Sequence, residues 1–132
     1  MNYETTEDYR QRLILIVEDE PMIALALEEL LIDVGFGIAG VAGRLDSALA
    51  IIESGICEGA VLDANLAGVS AGPAALALKA RCIPFVVVSG YSPHQQSDDF
   101  DGAPRLQKPC KPDHLIQTLQ SAIRAGIREG AR

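Results

Sequence analysis

Ala60-Val61-Leu62-Asp63-Ala64-Asn65 is an apolar run cut short by a carboxylate and followed at once by a Gly-containing loop. A run of that length reads as a buried strand, so its acid stands at the strand's carboxyl end. In open α/β sheets that edge is where ligands bind. A second run, Leu13-Ile14-Leu15-Ile16-Val17, ends the same way in Glu18-Asp19-Glu20. Two strands delivering acids to one edge make a cation site.

Outward from these runs, strand and helix patterns alternate. Pro21 suits the first turn of a helix, and Met22, Ile23, Leu25, Ala26, Leu30, Leu31 and Val34 then recur at helical spacing. That stripe reads as core, as a partner-binding face, or as both. Gly35 is a natural terminator. Phe36–Val41 reads as a Gly-broken second strand, and 46–54 as a helix stopped by Gly55. After Asp63, residues 64–72 read as a loop, and Pro73 opens an Ala/Leu-rich helix through Ala80. Pro84-Phe85-Val86-Val87-Val88 is the most β-favouring run of the chain, and Ser89-Gly90-Tyr91 leaves it. Residues 92–103 show almost no apolar periodicity and predict a weak or irregular fourth helix. Residues 104–107 follow as a short strand, then Lys108-Pro109. Pro112 opens a last helix with Leu115, Ile116, Leu119, Ala122 and Ile123 on one face.

This alternation predicts an α/β, flavodoxin-like, doubly wound fold. Its five-stranded parallel sheet has order 2-1-3-4-5 and helices on both faces. The expected division is a polar leader over 1–11, one domain over 12–126 and a tail over 127–132, with no further domain. A length of 132 residues and an apolar fraction of 48% suit one domain with a real core. A net charge of −7 argues against direct nucleic-acid binding, which needs clustered Lys and Arg. No run approaches a membrane span, and the polar N-terminus is unlike a signal peptide. Cys57, Cys82 and Cys110 are odd in number and widely spaced. They read as packing residues of a cytoplasmic protein rather than as a disulfide or zinc framework.

In the 2-1-3-4-5 order, strands 1 and 3 are neighbours, so Glu18 and Asp19 lie beside Asp63. Strands 4 and 5 bring Ser89 and Lys108 to the same edge. Clustered carboxylates repel unless protonated or bound to a cation, and all-oxygen donors suit Mg²⁺. Mg²⁺ with an ammonium and a hydroxyl clamps phosphoryl oxygens, which makes Asp63 a candidate nucleophile at phosphorus.

Four segments together carry a resemblance: Ile16-Val17-Glu18-Asp19-Glu20-Pro21, Leu62-Asp63-Ala64-Asn65-Leu66, Val88-Ser89-Gly90-Tyr91 and Lys108-Pro109. In order, spacing and strand-end placement the chain resembles the receiver domain of bacterial two-component response regulators. The resemblance implies that Asp63 is the phosphoacceptor, Asp19 a direct Mg²⁺ ligand and Glu18 a ligand through water. It makes the Asn65 backbone carbonyl a further ligand. Ser89 and Lys108 would pair with the phosphoryl group, and Lys108-Pro109 would be cis. The partners implied are a histidine kinase and a downstream protein or phosphotransfer partner, in a stand-alone phosphorelay role.

The chain departs from that pattern at Arg105, where an aromatic switch residue is usual, and at Cys110, where Phe is usual. Its Pro84–Tyr91 run is similar to a subgroup reading Pro-Phe-x-Phe-x-Thr-Gly-Tyr. The expected switch positions are Ser89, Tyr91 and Arg105, with Tyr91 and the 92–103 segment carrying the switch in place of the usual aromatic. Two rivals stand beside this reading. One is a receiver-like interaction module that is not phosphorylated. The other is a small aspartate-nucleophile phosphatase, which would want an acid where Asn65 stands. The literal G-x-G-x-x-G at 35–40 ends a helix and opens a strand, the reverse of a dinucleotide-binding context. His94 and His114 lack partners at metal-ligand spacing.

Overall fold

The structure is a computed structural model that describes residues 11–90 and 98–130. Along the chain run β1 (Leu13–Val17), α1 (Pro21–Asp33), β2 (Gly37–Ala42), α2 (Leu45–Ser54) and β3 (Gly59–Asp63). Then come β4 (Asn65–Leu66), β5 (Val69–Ser70), α3 (Gly72–Ala80), β6 (Phe85–Ser89), a 3₁₀ turn (Asp98–Phe100), β7 (Arg105–Gln107) and α4 (Pro112–Gly130). Five strands form one parallel sheet in the order β2-β1-β3-β6-β7. Counting those five alone, this is the expected 2-1-3-4-5 flavodoxin-like order. No helix among the described residues is long and apolar enough to cross a membrane.

Strand alternation divides the core in two. Leu15, Val17, Ala60, Leu62, Phe85 and Val87 pack with α2, α3 and Phe100 on one face. Ile14, Ile16, Val61, Val86, Val88 and Leu106 pack with α1 and α4 on the other. Because both faces of the central strands are covered, those strands read as continuous apolar runs.

Helix ends follow from local chemistry. After α1, Gly35 takes φ 105°, its N–H donates to Ile32 O at 3.0 Å, and Phe36 N–H donates to Leu31 O at 3.0 Å. That is a Schellman closure, and it places Phe36 before the strand rather than in it. The same closure ends α3, with Cys82 N–H on Lys79 O and Ile83 N–H on Leu78 O. Here a Cys with φ 57° holds the left-handed position that glycine usually takes. Of the cysteines expected to pack inside, Cys57 does so, whereas this turn leaves Cys82 exposed; all three are free.

One further expectation is corrected. Residues 64–72 are not a plain loop: β4 and β5 pair antiparallel, Asn65 with Ser70 and Leu66 with Val69. Their turn residues Ala67 and Gly68 both have positive φ, 52° and 92°, the geometry of a two-residue hairpin turn. The α1 stripe is only in part core. Ala24 and Leu31 are buried, while Met22 is 79% exposed, and Leu25 and Ile32 face solvent as well. Between β6 and β7 the described residues hold one 3₁₀ turn, with Phe100 driven into the core.

Candidate functional site

Register assembles the site. Val17 is level with Leu62 in the β1–β3 ladder, so the next residues, Glu18 and Asp63, leave the sheet side by side. Asp63 is level with Val88, and Ser89 with Gln107, which sets Ser89 and Lys108 one residue past the neighbouring strands' last pairs. Glu18, Asp63 and Lys108 continue the alternation of Ile16, Val61 and Leu106, toward the α1–α4 face. This shared parity is why their side chains meet.

Lys108 Nζ donates to Asp63 Oδ2 at 2.9 Å and lies 3.5 Å from Glu18 Oε1. The other Asp63 oxygen accepts the Asn65 N–H at 3.1 Å, a side-chain turn that bends the chain out of β3 into the hairpin. Glu18 Oε2 accepts the Glu20 N–H at 3.1 Å, where α1 begins. Asp63 and Glu18 are buried, Asp19 half-buried, and one carboxylate oxygen from each lies within 4.8 Å of the others. Ser89 is buried at the end of β6, and its carbonyl accepts the Lys108 N–H at 2.8 Å. The Lys108–Pro109 bond is cis.

The electrostatics match an acid cluster held by the Lys108 ammonium. Burial, then the Asp63 charge, hold the Glu18 carboxyl above its ordinary value; the Glu20 N–H and Lys108 oppose this without cancelling it. Burial works against the charge on Lys108, but Asp63 and Glu18 outweigh it and raise its affinity for its proton.

The donor set is all oxygen and fits Mg²⁺. Opposite oxygens of an octahedral Mg²⁺ shell lie about 4.2 Å apart, slightly closer than the outer limit of this cluster. Glu18, Asp19 and Asp63 are the residues that could hold the ion.

An apolar groove of about 760 Å³ runs from this cluster along α1, lined by Met22, Ala26, Leu30, Pro109, Cys110 and Leu115. A larger groove, about 1020 Å³, opens at the opposite edge of the sheet beside Pro84 and Pro104, away from the carboxylates.

Of the expected switch residues, Arg105 lies on β7 in an ion pair with Asp101 at 2.7 Å. Tyr91, like residues 92–97 with His94, lies outside the described residues. His114 is exposed on α4. The sequence reading missed two features. The Asn65 side chain is engaged by the hairpin, its Oδ1 accepting the Gly68 N–H at 2.7 Å; Gly three residues after Asn was the available signal. Asp99 lies against Gly72, a contact across the fold with no local signal.

No family model and no curated protein matches the chain. Solved structures do match. SdrG from Sphingomonas melonis Fr1 is 38% identical, with 89% of this chain and 98% of that one covered and a TM-score of 0.74. A CheY-like response regulator receiver domain protein from Methanospirillum hungatei JF-1 has a TM-score of 0.80 at 24% identity, over 89% and 98% of the two chains. The receiver domain of the PhyR response regulator from Erythrobacter litoralis has a TM-score of 0.71 at 25% identity, over 89% and 91%.

Proposed function

The chain belongs to the response-regulator receiver family, and we propose that it works as a single-domain response regulator. In this reading residues 12–126 are the receiver unit. Asp63 accepts a phosphoryl group from a histidine kinase in a Mg²⁺-dependent reaction, and the signal leaves through a protein partner or by onward phosphotransfer. The observation that carries the reading is the convergence of Glu18, Asp19, Asp63 and Lys108 at the carboxyl edge of three strands.

An Asp63 carboxylate oxygen attacks phosphorus. The new O–P bond forms as the P–N bond of the donor phosphohistidine breaks, and the departing electron pair stays on the imidazole nitrogen, which takes up a proton. Bound Mg²⁺ would supply positive charge against the phosphoryl oxygens. Lys108, now on Asp63 Oδ2, turns its ammonium to a phosphoryl oxygen, and the Ser89 hydroxyl donates to another. Burial keeps the acyl phosphate from bulk water. The apolar groove along α1 is continuous with Asp63, so a kinase helix seated in it carries its phosphohistidine to the acceptor. Acyl phosphate formation biases a two-state equilibrium through Ser89 and Lys108.

Intact-mass spectrometry after incubation with a small acyl phosphate, with and without Mg²⁺, tests this. The expected result is one Mg²⁺-dependent adduct on the wild type and none on Asp63→Asn. No adduct from any acyl phosphate or phosphorylated kinase would overturn the reading in favour of a receiver-like interaction module. Multiple turnover of a phosphate monoester would overturn it in favour of a phosphatase.

A further inference from the structure

Helices α2 and α4 carry Asp46 and Asp113 in their first turns, where the helix dipole favours negative charge. Helix α3, like α1, has no acid there and no side-chain cap. Its early amides are served locally: Gly72 N–H donates to Ser70 Oγ at 3.0 Å, and Ala74 N–H to Ala71 O at 3.0 Å. The missing negative charge arrives from elsewhere in the chain. The carboxylate of Asp99, in the 3₁₀ turn, sits so close over Gly72 that a Cβ on Gly72 would collide with Asp99 Oδ2 and meet its Cγ at 3.2 Å. Phe100, 1% exposed, anchors the same turn in the core beside α3.

This seat lies on a closed circuit that starts and ends at Asp63. Ala64, next to Asp63, accepts the Ala71 N–H at 3.0 Å, and Gly72 follows. From Asp99 the turn closes with Asp101 N–H on Asp98 O at 3.0 Å. Asp101 is ion-paired to Arg105 on β7. Three residues on, Lys108 returns to Asp63 at 2.9 Å. The acid's own loop and its counter-charge thus reach the two sides of the Asp99–Gly72 seat.

We propose that the Asp99 carboxylate on Gly72 is a conformational latch, a positioning contact that couples occupancy of the carboxylate site to the placement of the 98–104 segment. This rests on the reading of Glu18, Asp19 and Asp63 as a cation site. Linkage requires the coupling to run both ways. Filling the site alters the seat, and breaking the seat alters affinity at the site.

The test uses the full chain, with Mg²⁺ alone as probe and amide NMR as readout. In Asp99→Ala and Asp99→Asn the Mg²⁺ Kd changes by about two- to fivefold, the range a helix-end charge commands. The control Asp113→Asn, an acid of α4 off the circuit, leaves Kd unchanged. In the wild type, Mg²⁺ shifts the amide signals of Gly72 and Asp101. An Asp99 variant that folds, loses hydrogen-exchange protection over 98–104 and keeps the wild-type Kd would overturn the latch and leave a purely structural contact. Should the wild type bind no Mg²⁺, the cation-site reading fails by itself. The coupling is then decided by Asp63→Asn: movement of the Gly72 and Asp101 signals supports it, and their constancy overturns it.

Discussion

Replacing Lys108 with Met deletes the ammonium that lies 2.9 Å from Asp63 and 3.5 Å from Glu18, and keeps much of the apolar stem. The two carboxylates are 8% and 3% exposed, and Lys108 is 33% exposed. Exposed ion pairs contribute about 0–1 kcal/mol, whereas breaking a buried pair costs about 3–5 kcal/mol. Buried acids held by a one-third-exposed ammonium fall between, so the expected loss is about 2 kcal/mol. For a chain of this size that lowers Tm by about 6–10 °C. Urea and thermal unfolding in a chelating buffer measure it, in a cycle with Asp63→Asn. Once Asp63 is neutral, Lys108→Met costs at least about 1 kcal/mol less, because contacting charges are not additive. Added Mg²⁺ stabilises Lys108→Met more than the wild type, since the ion then supplies the positive charge that Lys108 no longer brings to the acids. A Lys108→Met loss under about 0.5 kcal/mol, or single costs that add within that margin, would refute the reasoning.

Three further outcomes follow from the same geometry. Glu18 holds its proton above its ordinary pKa of 4.5 because of burial and then Asp63. The folded state therefore binds that proton more tightly than the unfolded state, and stability falls as pH rises from about 4.5 through the raised value. Glu18→Gln removes this component, so urea unfolding across pH without divalent cations gives a difference that grows in favour of the variant over that window; parallel curves contradict it. Phe100→Ala removes a fully buried ring between the 3₁₀ turn and α3 and costs about 3–5 kcal/mol by denaturant unfolding, with a loss under 1 kcal/mol showing that the turn is not anchored. Cys82 and Ala67 hold positive φ angles of 57° and 52°. Substituting either by Gly raises stability by about 0.5–1 kcal/mol, the strain relieved less the entropy of glycine, and a lower Tm for both would contradict the turn geometry.

Much of the fold was legible because its signals are local. Leu13–Val17, Ala60–Asp63 and Phe85–Ser89 are apolar runs of strand length, and Gly35 and Gly55 close the helices before them or between them. The acids at the ends of β1 and β3 were legible for the same reason: an apolar strand that stops in a carboxylate announces its edge. Less was legible where a residue acts against its type. Ala67 and Cys82 occupy left-handed positions that glycine or asparagine usually fill, so the closure of α3 had no turn signal and the hairpin had only Asn65 and Gly68. The outward apolar residues of α1 lie off its buried face: Ala24, two turns before Leu31, shares that face, whereas Met22 lies about half a turn round the helix from it and is left to solvent.

By itself the sequence determined the parallel α/β order, the stops of its strands and helices, and which chemical groups arrive at one edge. These depend on period, capping and side-chain type, all carried within a few residues. Tertiary structure alone decided that Lys108 sits on Asp63 rather than in solvent, that burial raises the Glu18 pKa, and that Asp99 lies against Gly72, far from it in the chain. Each depends on the register between strands and on burial. Those belong to pairs of segments, so neither segment alone can encode them.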